Sequence, residues 1–209
     1  MSRQLLGRPA DQVARDLVGA RLVVDAGTPE EVRARLVEVE AYLGLDDAAS
    51  HAFGGPTPRA SIMFGEPGRL YVYFSYGMHH CANVVCAPAG TASAVLLRAA
   101  VVEGGEPAVR SRRGASVQFS RLLSGPGNLC RGLAITRSDN GSDLCADGRV
   151  HIERATTSVP LSIGPRVGIS RAHDLPLRFW WTDHPAVSAA RSSSRLGVEK
   201  KGTGSKAGP

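Results

Sequence analysis

The chain has 209 residues, 43% of them hydrophobic, and a formal net charge of +6. This supports one sizeable core, so a single globular domain is expected, and no stretch approaches the roughly 20 apolar residues that would span a bilayer. The opening MSRQLLGRPADQ lacks the apolar run of a signal peptide, which predicts an intracellular location, and the four cysteines (Cys81, Cys86, Cys130, Cys145) show neither CxxC spacing nor close pairing, as expected of reduced thiols.

From Arg191 onward five basic residues face one acid, so this segment contributes +4 and the body only about +2. We therefore expect residues 1–190 to form the folded domain and 191–209 to be a disordered basic tail. Three of the 25 basic residues are lysines, and all three (Lys200, Lys201, Lys206) lie in that tail. No lysine of the body can form a Schiff base.

In chain order, Pro9-Ala10-Asp11 followed by Val13, Leu17, Val18 and Gly19 predicts a short amphipathic helix. ARLVVDA reads as a strand, and a turn at Gly27-Thr28-Pro29 leads into a second strand containing LVEVEAY. The polar run from Gly44 to Pro67 predicts a long loop with at most a short helix. RLYVYFSYGMHHCANVVCA predicts a hairpin centred on Tyr76-Gly77-Met78-His79, and SAVLLRAAVV a further strand. Between Gly104 and Ala134, Val117, Leu122, Leu123, Leu129 and Leu133 recur at helical spacing, interrupted at Ser124-Gly125-Pro126-Gly127. Sheet and helix interleave without a βαβ rhythm. The expected fold class is α+β: one mixed domain with a curved, largely antiparallel sheet, flanking helices and a protruding hairpin.

LVEVEAY places Glu38, Glu40 and Tyr42 on one face, which could look at water or line a cavity. All four tyrosines (Tyr42, Tyr71, Tyr73, Tyr76) fall in the segment that also holds His51, and this clustering favours the cavity. A hairpin whose paired residue numbers sum to roughly 156 would set Tyr73 opposite Asn83 and leave Tyr76 and Met78 at the tip. Such rings, a carboxylate and an amide suit an unpaired planar base. Adjacent His79 and His80 point to opposite faces of a strand and complete no metal set, so no metal is expected. Glu38 is expected to be a solvent or structural partner rather than a second catalytic acid.

VEVEAYLGLDDAASHAF, TPR, MF, PGRLYVYFSYGMHHCANVV, VLLRA, SGPGNLCRGLAI, PRVGI and PLRF resemble, in this order, the alkyladenine (3-methyladenine, N-methylpurine) DNA glycosylases, over roughly residues 3 to 181. The resemblance implies a monofunctional base-excision repair enzyme that flips an alkylated or deaminated purine out of duplex DNA and hydrolyses its N-glycosidic bond, without cofactor. It implies Glu40 as the base that activates water and Arg98 as its partner. It implies Tyr42, His51 and Tyr73 as walls of the base pocket, Asn83 as the side chain that crowds the 2-amino position of guanine, and Tyr76 with Met78 as the tip entering the minor groove. Arg59, Gly125, Gly127 and Asn128 are candidate contacts to the DNA backbone.

This sequence departs from the family at Asn128, where lysine is common, and at His79-His80, where aromatics are common. The expected partner is double-stranded DNA carrying damaged purines, the expected state a monomer, and the expected place the cytoplasm or nucleoid if the source is bacterial. The rival readings are a non-catalytic module that holds unpaired bases on the same aromatic face, and a glycosidase of free nucleosides. Glu40 together with Arg98 argues against the first, since stacking and phosphate binding need neither.

Overall fold

A computed structural model describes residues 1–75 and 77–188. Two short helices open the chain, α1 (Arg3–Leu6) and α2 (Ala10–Leu17), before strands β1 (Arg21–Val24) and β2 (Val32–Tyr42). The hairpin β3 (Leu70–Ser75) and β4 (His79–Val85) precedes the long strand β5 (Ala94–Gly104). Helices α3 (Glu106–Arg113) and α4 (Pro126–Gly132) follow, and β6 (Val150–Glu153), β7 (Leu161–Gly164) and β8 (Arg178–Trp181) complete the set. The fold is α+β, with one curled sheet of order β3-β4-β5-β2-β1-β6 to which β8 adds along the second half of β2 and β7 along β8. Every pairing is antiparallel.

Helix α2 is the amphipathic helix expected from the sequence: it starts after Pro9 and buries Ala10, Val13, Ala14 and Leu17 against β2 and β5. Helix α4 closes the same core from the other end through Leu129 and Cys130, packing on β4 and β5. A fully buried leucine such as Leu17 is worth about 1.5–3 kcal/mol over leaving it in water.

What places the site is a change of phase in β2. Ala34 and Leu36 face the main core, yet so do Val39 and Ala41, because the doublet Leu36-Val37 carries a β-bulge that moves the inward positions from even to odd numbers. Glu38, Glu40 and Tyr42 therefore share the face of Arg33 and Arg35, away from the main core. Facing them, β5 skips Arg98 between the partners Leu97 and Ala99, a second irregularity that turns the arginine toward the same side. Arg33 and Arg35 stay partly exposed, whereas Glu38 and Glu40 are completely covered by β8 and the segment around Val167.

Two expectations require correction. The hairpin pairs Tyr71 with Asn83 and Tyr73 with Cys81, so the numbers sum to 154 and the register lies one pair away from that expected. The reason is the turn: Ser75 pairs with His79 across three residues, with Gly77 at φ +63, a loop length that apolar alternation does not specify. Between Gly104 and Ala134, the first helix lies upstream of the apolar spacing, at Glu106–Arg113, and Val117 to Leu123 form loop and a single 3-10 turn. Leu122 and Leu123 reach the core from that turn. Ser124 to Gly127 start a helix rather than interrupt one: Gly125, at φ +96, caps α4 and Pro126 opens it. The loop from Gly44 to Pro67 contains two single-turn 3-10 helices, Gly44–Asp46 and Ser61–Phe64. The expected tail at 191–209 lies outside the described residues.

Candidate active site

Glu40 sits near the C-terminal end of β2 with no solvent exposure and both carboxylate oxygens engaged. The backbone N–H of Val167 donates to Oε1 at 2.7 Å, the Tyr42 hydroxyl donates to Oε2 at 3.0 Å, and Arg98 Nη1 lies 3.3 Å from Oε2. Burial raises the carboxyl above the ordinary range, and the Arg98 charge and the two hydrogen bonds offset only part of that. A carboxylate held ionised against desolvation is a stronger base than one in water.

Beneath it, Glu38 gathers the other half of the charge. Its Oε1 accepts from Arg98 Nε at 2.8 Å, Arg178 Nε at 2.7 Å and Ser188 Oγ at 2.9 Å, and its Oε2 accepts from the Ser188 backbone N–H at 2.7 Å. Two carboxylates and two guanidiniums thus form one buried, balanced group, with Arg98 shared between Glu38 and Glu40. Of the two expectations for Glu38, full burial removes the solvent-facing one: the residue is a structural partner, and of the catalytic candidate Arg98 itself.

A cavity of about 480 Å³, within the range of small-ligand sites, opens beside Tyr42, Arg98 and Val167, the three groups that hold Glu40; Glu40 itself lies behind them and does not line it. Tyr42, His51, Tyr71, Tyr73, Asn83, Arg59 and Arg98 all line it. His51 and Tyr73 meet edge to face with centroids 4.6 Å apart, and Tyr71, buried behind them, bonds His51 Nδ1 through its hydroxyl at 3.1 Å. Desolvation, then the nearby Arg59 charge, pushes the His51 imidazole down to about 4, so the ring is neutral at physiological pH. Tyr42 makes no ring contact with that pair among the described residues. One of its faces is covered instead by the Arg166 guanidinium, 4.6 Å from the ring centroid, and the residue lines the cavity. The geometry suits a flat ring held between Tyr42 and the His51–Tyr73 pair with a carboxylate nearby.

The remaining candidates lie around this cavity. Asn83 is buried on its wall, its amide fixed by donating to the Tyr71 carbonyl at 3.0 Å. Met78 projects from the hairpin tip with 69% of its surface exposed, whereas Tyr76 lies outside the described residues. Arg59, expected at the DNA backbone, stacks on the Tyr73 ring at 4.7 Å while remaining exposed. A Cβ at Gly127 would come within 2.9 Å of the His79 ring, so this glycine lets α4 approach the base of the hairpin. The Asn128 amide is engaged in the same turn, donating to the Ser124 carbonyl at 2.7 Å.

Sequence reasoning missed the second ring of residues. Arg166 forms a buried pair with Asp47 at 2.5 and 2.8 Å, which ties the loop after β2 to the segment that carries Val167. Arg178 and Ser188 are equally remote from Glu38 in the chain. The only local signal was the apolar doublet Leu36-Val37, which marks the bulge. Among the described residues no group of three or more His, Cys, Asp or Glu side chains is arranged to hold a metal ion.

An arginine on the wall of an aromatic cavity is thus paired, from behind, to a buried glutamate. The chain belongs to the methylpurine-DNA glycosylase family: the family model described as Methylpurine-DNA glycosylase (MPG) matches residues 4–185. It is 51% identical over 188 residues to a Mycobacterium sp. (strain KMS) protein named as a candidate 3-methyladenine DNA glycosylase, covering 87% of this chain and 89% of that one. Proteins of the same name from Mycobacterium tuberculosis and Mycobacterium leprae are 49% and 50% identical, each over 89% of this chain and over 95% and 90% of their own lengths. Membership makes the protein a DNA-repair hydrolase of N-glycosyl bonds, with DNA as its substrate. No helix among the described residues is long and apolar enough to cross a membrane.

Proposed function

We propose that the protein excises alkylated and deaminated purines (3-methyladenine, 7-methylguanine, hypoxanthine and ethenoadenine) from duplex DNA as a monofunctional, monomeric glycosylase that flips the damaged nucleotide into the aromatic cavity. The observation that carries this reading is the position of Glu40: an ionisable carboxylate, fully buried and held by Val167, Tyr42 and Arg98, next to a cavity shaped for a flat ring.

In this mechanism the flipped base lies between Tyr42 and the His51–Tyr73 pair, and Asn83 disfavours the 2-amino group of guanine. As the C1′–N bond breaks, its electron pair leaves with the base and positive charge grows on the sugar. Glu40 stabilises that charge and takes a proton from the water whose oxygen bonds to C1′. A purine alkylated at N3 or N7 departs as a neutral molecule, whereas hypoxanthine or ethenoadenine departs with the electron pair as an anion and takes its proton from solvent, and the product is an abasic site. No lysine lies between Met1 and Glu199, so the body offers no side-chain amine for a lyase step. Met78, with Tyr76, fills the gap left in the stack. The basic residues from Arg191 onward add loose attraction to the polyanion.

The test is base release from an end-labelled duplex containing one hypoxanthine, comparing wild type with Glu40→Gln, with and without hot alkali. Alkali-dependent breaks with wild type and none with the variant support the reading. Equal activity in both proteins removes Glu40 from its role, and no activity in either on hypoxanthine or alkylated DNA favours a binding module. Release from the free nucleoside but not from the duplex would make it a nucleoside hydrolase.

A further inference from the structure

The Glu38 cluster is more elaborate than burying a strand requires. Removing two carboxylates and two guanidiniums from water is expensive, and well-packed apolar residues of similar volume are often as stable or more so. The cluster converges on Glu38, and Arg98 joins it to Glu40: its Nε binds Glu38, its Nη2 donates to Ser188 Oγ at 3.2 Å, and its Nη1 alone approaches Glu40, at 3.3 Å. A guanidinium free to choose would grip Glu40 with two parallel bonds and quench its basicity. Resting on the reading of Glu40 as the base, we propose that Glu38 is a positioning residue that holds Arg98 away from a two-bond grip on Glu40, with Arg178 and Ser188 setting how strongly it does so.

The charges that face Glu40 are few. From β2 come Glu38 and the Tyr42 hydroxyl, from β5 Arg98, and from the segment after β7 the Val167 N–H and the Arg166 charge, which is itself held by Asp47. Arg178 is the cross-strand partner of Glu40 in register, but its side chain turns to Glu38 and to the Ser188 carbonyl at 3.0 Å. Glu38 consequently acts on Glu40 twice, as a nearby like charge and as the competitor for Arg98. Removing its charge lets Arg98 swing to Glu40 and makes that carboxylate a weaker base. Removing the Arg178 charge has the opposite effect, because Glu38 then draws Arg98 more tightly to itself. Through-space charge alone would also give shifts of these two signs, so the competition for Arg98 is told apart by Ser188→Ala, which changes the grip on Arg98 without removing a charge.

The experiment is single-turnover release of hypoxanthine from duplex DNA as a function of pH, for wild type, Glu38→Gln, Arg178→Gln and Ser188→Ala, with thermal melting of each. We expect the acid limb of the rate profile to move down by about half to one pH unit in Glu38→Gln and up by a comparable amount in Arg178→Gln. Ser188→Ala, which frees Arg98 Nη2 while nearly preserving volume, moves it down by less and remains readable if the buried-charge variants fail to fold. Lower rates with an unmoved acid limb in Ser188→Ala, or shifts of one sign only in Glu38→Gln and Arg178→Gln, would overturn the proposal while leaving Glu40 as the base. Glu40→Gln, run alongside, reports separately: if it retains full activity, the reading on which this proposal rests is lost.

Discussion

Val167 donates its backbone N–H to Glu40 Oε1 at 2.7 Å, across 127 positions of the chain. That bond, with the Tyr42 hydroxyl on the other oxygen, fixes the plane of a carboxylate that burial would otherwise neutralise. A base must be ionised to accept a proton, and the carboxyl of Glu40 titrates above the ordinary range because of its burial. Excision should therefore fall as pH is lowered, with a midpoint above the roughly 4.3 of an ordinary glutamate. Single-turnover rates between pH 4 and 8 measure it, and a midpoint at or below the ordinary value would contradict the account.

The same shift has a consequence for stability. A folded-state pKa above the unfolded one means that the folded protein binds the proton more tightly, so this group's contribution is full at low pH and is lost as pH rises through the folded value. At neutral pH Glu40→Gln should melt at or above the wild-type temperature while losing about 10²-fold or more in excision rate. A variant both inactive and clearly less stable would show that the carboxylate holds the fold together.

Asp47 and Arg166 present the opposite case. Burial alone would raise the Asp47 carboxyl, but hydrogen bonds from Arg166, Ala49 and Leu43 overcome it and hold the group below its usual range. Its contribution is present at neutral pH and fades as pH falls through that depressed value. Asp47→Asn leaves a fully buried guanidinium without its counter-charge and should cost about 3–5 kcal/mol in urea unfolding at pH 7. The loss relative to wild type should shrink in acid.

At the end of β2 the chain turns through Gly44, at φ +79, where a Cβ would lie 1.9 Å from the Ala92 carbonyl oxygen. Gly44→Ala should lower stability by at least about 1–3 kcal/mol. Gly54, near the middle of the same loop, has nothing within 4 Å of an added Cβ. Gly54→Ala should melt within a degree or two of wild type, and equal melting of the two variants would refute the close approach.

Met78 touches solvent far more than protein, so Met78→Ala should leave the melting temperature unchanged and weaken binding to a labelled lesion duplex several-fold. Fluorescence anisotropy at fixed salt reads this directly, and unaltered affinity would remove the tip from the DNA interface.

Short-range patterns determined much of this protein. Apolar alternation marked β1 to β5 but not the short β6, β7 and β8, Pro9 to Gly19 marked α2, and the grouping of Tyr42, Tyr71 and Tyr73 with His51 marked one wall of the cavity, because strand and helix periodicities are properties of neighbouring residues. The amphipathic spacing around Val117 to Leu123 misled for the same reason: apolar residues of a loop reach a core as readily as those of a helix. Only the tertiary structure decided the hairpin register, which the three-residue turn sets, and the bulges at Val37 and Arg98 that bring Glu38, Glu40 and Arg98 to one face. It also decided the partners of the carboxylates. Val167, Arg178 and Ser188 approach β2 from more than a hundred residues away, and Arg166 reaches the loop after it from a similar distance. Contacts at such separation are set by how the sheet curls and what its last strands cover, and no local pattern encodes that.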